Sequence, residues 1–154
     1  MALTPSRQVD GFIAKFDPPV ARLLRAARKE LRRRYPTAVE VVYDNYNALA
    51  IGFSSTERTS DVFVSLAGYA RGVNLYFLYG AHLPDPKHRL EGKGHQGRFV
   101  RLTELSLLDD PEIVALMKAA LEERDTPLPR TGRGRTVIKM ISARQRPRTA
   151  RRLP

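Results

Sequence analysis

Residues 39–79 read VEVVYDNYNALAIGFSSTERTSDVFVSLAGYARGVNLYFLY, and this stretch decides the fold. Val39–Asp44 sets Val39, Val41 and Tyr43 against Glu40, Val42 and Asp44, the alternation of a half-buried strand, and is rich in β-branched residues. Ala48–Phe53 is a second apolar run, closed by the turn residues Ser54-Ser55-Thr56. Asp61–Ala67 and Val73–Tyr79 read as the third and fourth strands, parted by Gly68 to Gly72; Val73, Leu75, Phe77 and Tyr79 share a face. Connections this short favour antiparallel neighbours, because parallel strands need a long crossover.

Working outward, Val9, Phe12, Ile13 and Phe16 follow helical spacing. Asp17-Pro18-Pro19 then restarts a helix, with Asp17 as the expected cap and proline tolerated in the first turn. Val20, Leu23, Leu24, Ala27 and Leu31 form its apolar stripe, while Arg22, Arg25, Lys29, Arg32 and Arg33 fall on an outer basic face. Tyr35-Pro36 ends it, since a residue before proline leaves the α region. Downstream, Arg98–Leu102 reads as a short fifth strand. Asp110-Pro111 opens a helix whose stripe is Ile113, Leu116, Met117, Ala120 and Leu121. Thr136–Ile141 is too apolar to trail in water, so it should join the main sheet or pair with a second chain. The order of elements predicts an α+β domain: a mostly antiparallel sheet of five to six strands, with helices packed on one face in two layers. Residues 1–142 form that single domain, and 143–154 read as a basic, flexible end.

Composition narrows the function classes. At 154 residues and 42% hydrophobic, the chain suits one domain with a real core. No apolar run approaches a membrane span, and the first 16 residues lack the apolar run of a secretory signal. Cysteine is absent, which excludes disulfides, thiolate catalysis and cysteine-bound metals and fits a reducing, cytoplasmic setting. Charge is uneven: 27 basic residues face 16 acidic ones, and from Pro127 onward nine are basic and none acidic. Such an end is either solvated or contacts polyanions, with Arg144, Arg146, Arg148, Arg151 and Arg152 as the nucleic-acid contacts.

Three constellations carry chemistry. Gly92-Lys93-Gly94-His95-Gln96-Gly97 matches a dinucleotide fingerprint in letters, but a loop precedes it and a strand follows, so the required strand–turn–helix setting fails. The glycines either shape a connection or turn N–H groups inward as an anion nest, with Lys93, His95 and Arg98 adding charge. They sit in an 18-residue segment, Gly80–Gly97, unusually long for a structureless loop. All three histidines, His82, His88 and His95, lie there beside Asp85 and Glu91, a donor set that iron or zinc accepts. Finally, Tyr43-Asp44-Asn45-Tyr46-Asn47 is a polar, aromatic junction between apolar strands: it either makes side-chain turns or lines a small pocket. Tyr43, Asp44, Tyr46, Asn47, Lys93 and Arg98 are therefore the candidate ligand contacts. No nucleophile elbow or triad order is visible, so no catalytic residue is assigned.

With these segments in hand, the chain resembles the YdhG-like family of small bacterial domains, some of whose members are described as frataxin-like iron chaperones. The resemblance rests on Tyr35-Pro36, Glu40-Val41-Val42-Tyr43, Leu75-Tyr76-Phe77, Gly80–Pro86, Leu90–Gly94 and Val137–Ala143 with Gln145–Arg148. It implies helices on one side of an antiparallel sheet and no particular reaction. Frataxin-type iron handling is associated with an acidic first helix, whereas Glu30 is the lone acid here between Pro18 and Pro36. A metal would fall to the histidine loop. The function expected is a non-enzymatic binding or adaptor domain; nucleic-acid association through the basic end and helix face is the alternative.

Overall fold

Each of the three helices begins on a proline, whose missing N–H would have no partner in a first turn anyway. In the computed structural model, which describes residues 2–150, they are α1 (Pro5–Ile13), α2 (Pro18–Arg34) and α3 (Pro111–Glu122). Thr4 and Asp110 cap α1 and α3 by accepting the backbone N–H groups of Arg7 and Glu112. Asp17 does not cap α2 as expected; its Oδ2 instead accepts the N–H of Ala150, at 3.1 Å.

The strands are β1 (Val39–Asp44), β2 (Leu49–Ser54), β3 (Val62–Tyr69), β4 (Gly72–Phe77), β5 (Arg98–Leu102) and β6 (Thr136–Ile141). They form one open sheet in the order β5-β4-β3-β2-β1-β6. Every pair is antiparallel except β1 with β6, which is parallel. The crossover that a parallel pair demands is supplied by α3 and the proline- and glycine-rich connection after it. So β6 finds its partner within the chain. Among the described residues, no helix is long and apolar enough to cross a membrane.

The helices pack on one face of the sheet. Leu24 and Leu31 of α2 and Ile113 and Leu116 of α3 join Ile51, Leu66 and Leu75 in the main core. On β1 the face turned to this layer carries Glu40, Val42 and Asp44, while Val39 and Val41 lie on the other face with Val62. Both acids are buried, at 2% and 0% exposure. An unpaired buried carboxylate costs several kcal/mol, so each needs fixed partners. Glu40 accepts two hydrogen bonds from Arg28 (2.7 and 2.8 Å) and one from Thr136 Oγ1 (2.7 Å). Asp44 accepts from Lys15 Nζ at 2.6 Å and from Arg148 at 3.0 Å.

That last contact corrects the expectation of a free end. Residues 143–150 are held against the domain. Gln145 donates to Asp44 O, Arg146 N–H to Tyr46 O, and Arg148 to Asn45 O. Arg148 is 5% exposed, with its guanidinium 5.7 Å from the Phe16 ring centroid. Removal of that arginine from water also removes it from the expected set of nucleic-acid contacts. Arg144 and Arg146 are exposed; Arg151 and Arg152 lie outside the described residues.

Candidate functional site

Strand alternation hands the uncovered face of the sheet a run of very small residues. Register places Ala50 opposite Ala67, and Gly52 opposite Ser65, on neighbouring β2 and β3. The same two rows continue to Tyr43 and Val41 on β1 and to Asn74 and Tyr76 on β4. Small side chains in the middle and tyrosines at the sides make a trough rather than a flat surface.

Two cavities occupy it, sharing Ala50, Ala67 and Tyr76. The larger, about 420 Å³, is lined by Asn45, Tyr46, Asn47, Tyr69 and Ser142 at the end where β1 exits. The smaller, about 160 Å³, is mostly apolar and is lined by Val41, Tyr43, Gly52, Val62 and Leu78, among others. Neither is lined by a carboxylate. Tyr43 OH is held by Thr59 Oγ1 at 2.5 Å. Burial pushes the pKa of the Tyr69 hydroxyl above its ordinary value, and the adjacent Tyr76 adds to that. The Arg146 guanidinium lies 5.6 Å from the Tyr46 ring centroid, a cation beside the polar end of the trough.

Of the predicted ligand contacts, the structure brings Tyr43, Tyr46 and Asn47 together. Asp44 faces the opposite layer, where Lys15 and Arg148 consume its oxygens. Burial raises its pKa, but hydrogen bonds from Lys15, Gln145 and Arg148 outweigh this and hold the carboxyl below its ordinary value. Lys93 and Arg98 line neither cavity. Arg98 donates to the carbonyls of Gly94 (2.6 Å) and Gly97 (2.7 Å), which makes it a staple of the glycine segment. Of the two readings, the connection fits this geometry. The segment still touches the trough: a Cβ on Gly97 would sit 1.7 Å from Tyr76 OH.

The histidine loop does not assemble the expected metal set. Asp85 spends both oxygens on the N–H groups of Arg89 and Leu90. Glu91 is in a backbone bridge with Phe99. Among the described residues no three His, Asp or Glu side chains gather as a metal site, so His82, Asp85, His88, Glu91 and His95 do not fit iron or zinc.

The sequence reading missed Ala50, Ser65, Ala67, Tyr69, Tyr76 and Ser142. A signal existed: Ser65, Ala67 and Tyr69 on β3 and Asn74 and Tyr76 on β4, which alternate with Leu66, Val73 and Leu75, are small, polar or tyrosine. No protein-family model matches the chain, and neither a curated protein nor a solved structure matches it.

Proposed function

We propose that the chain is a binding domain that takes a small organic acid with a flat, apolar body in the trough of the open sheet face. The observation that carries this reading is the floor of Ala50, Gly52, Ser65 and Ala67 between Tyr43 and Tyr76. Small floor residues leave depth, and tyrosines offer π faces with hydroxyls at the rim. The larger cavity is within the several-hundred Å³ range of small-molecule sites. The acidic head follows from charge: the lining holds no carboxylate, Asn45, Asn47 and Ser142 offer amide and hydroxyl groups, and Arg146 stands beside Tyr46. The resemblance to YdhG-like domains and a cytoplasmic setting belong to the same proposal, supported by the quoted motifs and the lack of cysteine.

The test is a calorimetric and thermal-shift screen of aromatic and medium-chain carboxylates against the full chain and two variants. Ala50→Phe fills the wall common to both cavities, and Tyr46→Ala opens the polar end. A ligand specific for the native state raises its stability by mass action. The stabilisation should vanish in Ala50→Phe and weaken in Tyr46→Ala. Equal shifts in all three proteins, or none with any carboxylate, would overturn the reading.

A further inference from the structure

At the other end of β1, the C-terminal half of α2 and the connection into β6 face each other across a second cavity of about 420 Å³. Lys29, Arg32 and Arg33 come from the helix, and Arg133 and Arg135 from the connection. A further cavity of about 310 Å³, which adds Arg25, adjoins it through the shared Lys29 and Arg32.

Several cations on a surface are ordinary; what distinguishes this cleft is that Lys29 on one wall, Arg133 on the other and the adjoining Arg25 carry charge that no acid among the described residues neutralises. Glu40 borders it but is claimed in bidentate fashion by Arg28. Glu30 takes Arg33 and Arg34, and Glu57 takes Arg135. Arg32 bonds Ser6 Oγ at 3.0 Å and stands 3.6 Å from the already occupied Glu40. Arg25, Lys29 and Arg133 have no acidic partner among the described residues. The helix dipole accounts for cations in the last turn of α2, Arg32 to Arg34, but not for Arg25, nor for Arg133 on another element.

The far wall is also fixed. Gly134 N–H donates to Pro36 O at 2.8 Å, and Glu40 N–H to Arg135 O at 2.8 Å. A Cβ on Gly134 would lie 1.6 Å from Ala38 O, so only glycine lets the backbone approach this closely. Arg133 and Arg135 thus flank a pinned residue. A backbone fixed before binding leaves only side-chain freedom to be lost when Arg133 closes on an anion.

We propose that this cleft binds a small ligand carrying two or more adjacent phosphoryl groups. Guanidinium forks match phosphate oxygens two at a time, and a single carboxylate would engage only a fraction of the cations on the two walls. A nucleic-acid backbone is the less fitting occupant. The cations converge on a concavity bounded by Tyr35 and Pro36, and Arg148, which an extended basic track would recruit, is buried on Asp44. The cleft is separate from the trough, so either proposal can fail without the other.

Isothermal titration of the full chain with inorganic tripolyphosphate, at about 150 mM salt where screening acts over about 8 Å, tests this. Lys29→Ala/Arg133→Ala should weaken binding at least about tenfold, the usual scale for a lost charge-assisted contact. Arg22→Ala/Arg144→Ala removes the same charge from exposed positions outside the cleft and should bind like the wild type. All four side chains are on the surface, and coincident melting curves check that each variant folds. Equal weakening in both double variants would reduce the effect to bulk charge and overturn the proposal. Monophosphate binding as tight as tripolyphosphate would overturn it too, as would undetectable binding by the wild type. A short single-stranded oligonucleotide that outcompetes tripolyphosphate, with equal dependence on Arg22 and Arg144, would replace the cleft with a nucleic-acid surface.

Discussion

Arg148 Nη2 lies 3.0 Å from Asp44 Oδ1, a buried ion pair between the last residue of β1 and a residue 104 positions later. Lys15 Nζ closes on the other oxygen at 2.6 Å and also donates to Gln145 Oε1. One carboxylate therefore ties together the turn after α1, the end of β1 and the C-terminal segment. Neither cation is free for a polyanion while that geometry holds.

Removing Arg148 strips a charged hydrogen bond from a buried carboxylate that then keeps Lys15 as its one cation, at a cost of about 2 kcal/mol. Arg148→Ala should lower the unfolding free energy by about that much, as measured by urea denaturation. Arg144→Ala, on an exposed side chain of the same segment, should stay within about 0.5 kcal/mol of the wild type. Similar losses in the two variants would mean that the buried contact contributes no more than surface charge.

The same carboxylate sets a pH dependence. Asp44 is held below its ordinary value of 3.8, so in the interval between the folded and unfolded values the unfolded chain binds more protons. Stability therefore rises with pH across that interval, is complete above it and is lost as the pH falls through it. Glu30, drawn from 4.5 to about 2 by hydrogen bonds from Arg33 and Arg34, adds a loss in the same direction over that range. Melting temperatures should be flat at mildly acidic pH and drop below about pH 4, near the unperturbed carboxylate values. Asp44→Asn should start lower and fall less steeply; an unchanged slope would remove Asp44 as a contributor.

The strands were legible because their signal is local. Val39–Asp44, Arg98–Leu102 and Thr136–Ile141 match the observed β1, β5 and β6, each an apolar or alternating run bounded by breakers. What the alternation did not reveal was direction. On β1 the helices cover Glu40 and Asp44, and the partners that make this tolerable lie 12, 29, 96 and 104 residues away. Nothing within a window of that strand encodes them. The trough was half legible for a related reason. Tyr43, Tyr46 and Asn47 stand out in sequence, whereas Ala50 and Ala67 matter only because register sets them side by side. The histidine loop misled because proximity in sequence is not convergence in space: Asp85 is spent on its own backbone turn.

Arg28 and Glu40 offer a test of whether this inverted face is a strength or a tolerated cost. Arg28 is held charged despite burial, which opposes its charge, by Glu40 and then by Asp10. Arg28→Leu alone should cost about 3 kcal/mol by stranding Glu40. Replacing both, Arg28→Leu with Glu40→Leu, should recover most of that, giving a coupling of about 2 kcal/mol in a double-mutant cycle. Additive losses would show that the two side chains act independently.

Gly134 and Gly97 are both too crowded for a side chain, but for different reasons, and they should respond differently. At Gly134 a Cβ would strike the Ala38 carbonyl at 1.6 Å, and backbone cannot step aside without breaking the bonds that seat β6 beside β1. Gly134→Ala should therefore cost about 2–3 kcal/mol, the scale of overpacking in a fixed site. At Gly97 the obstacle is Tyr76 OH, the far end of a side chain that can rotate outward. Gly97→Ala should change stability by less than about 1 kcal/mol. Its effect should appear in the trough instead, because Tyr76 lines both cavities. Ring resonances of Tyr76 should shift, and the stabilisation by bound carboxylates should fall while tripolyphosphate binding at the α2 cleft is untouched. Unfolding in Gly97→Ala, or a Tyr76 signal identical to that of the wild type, would disconnect the glycine loop from the trough.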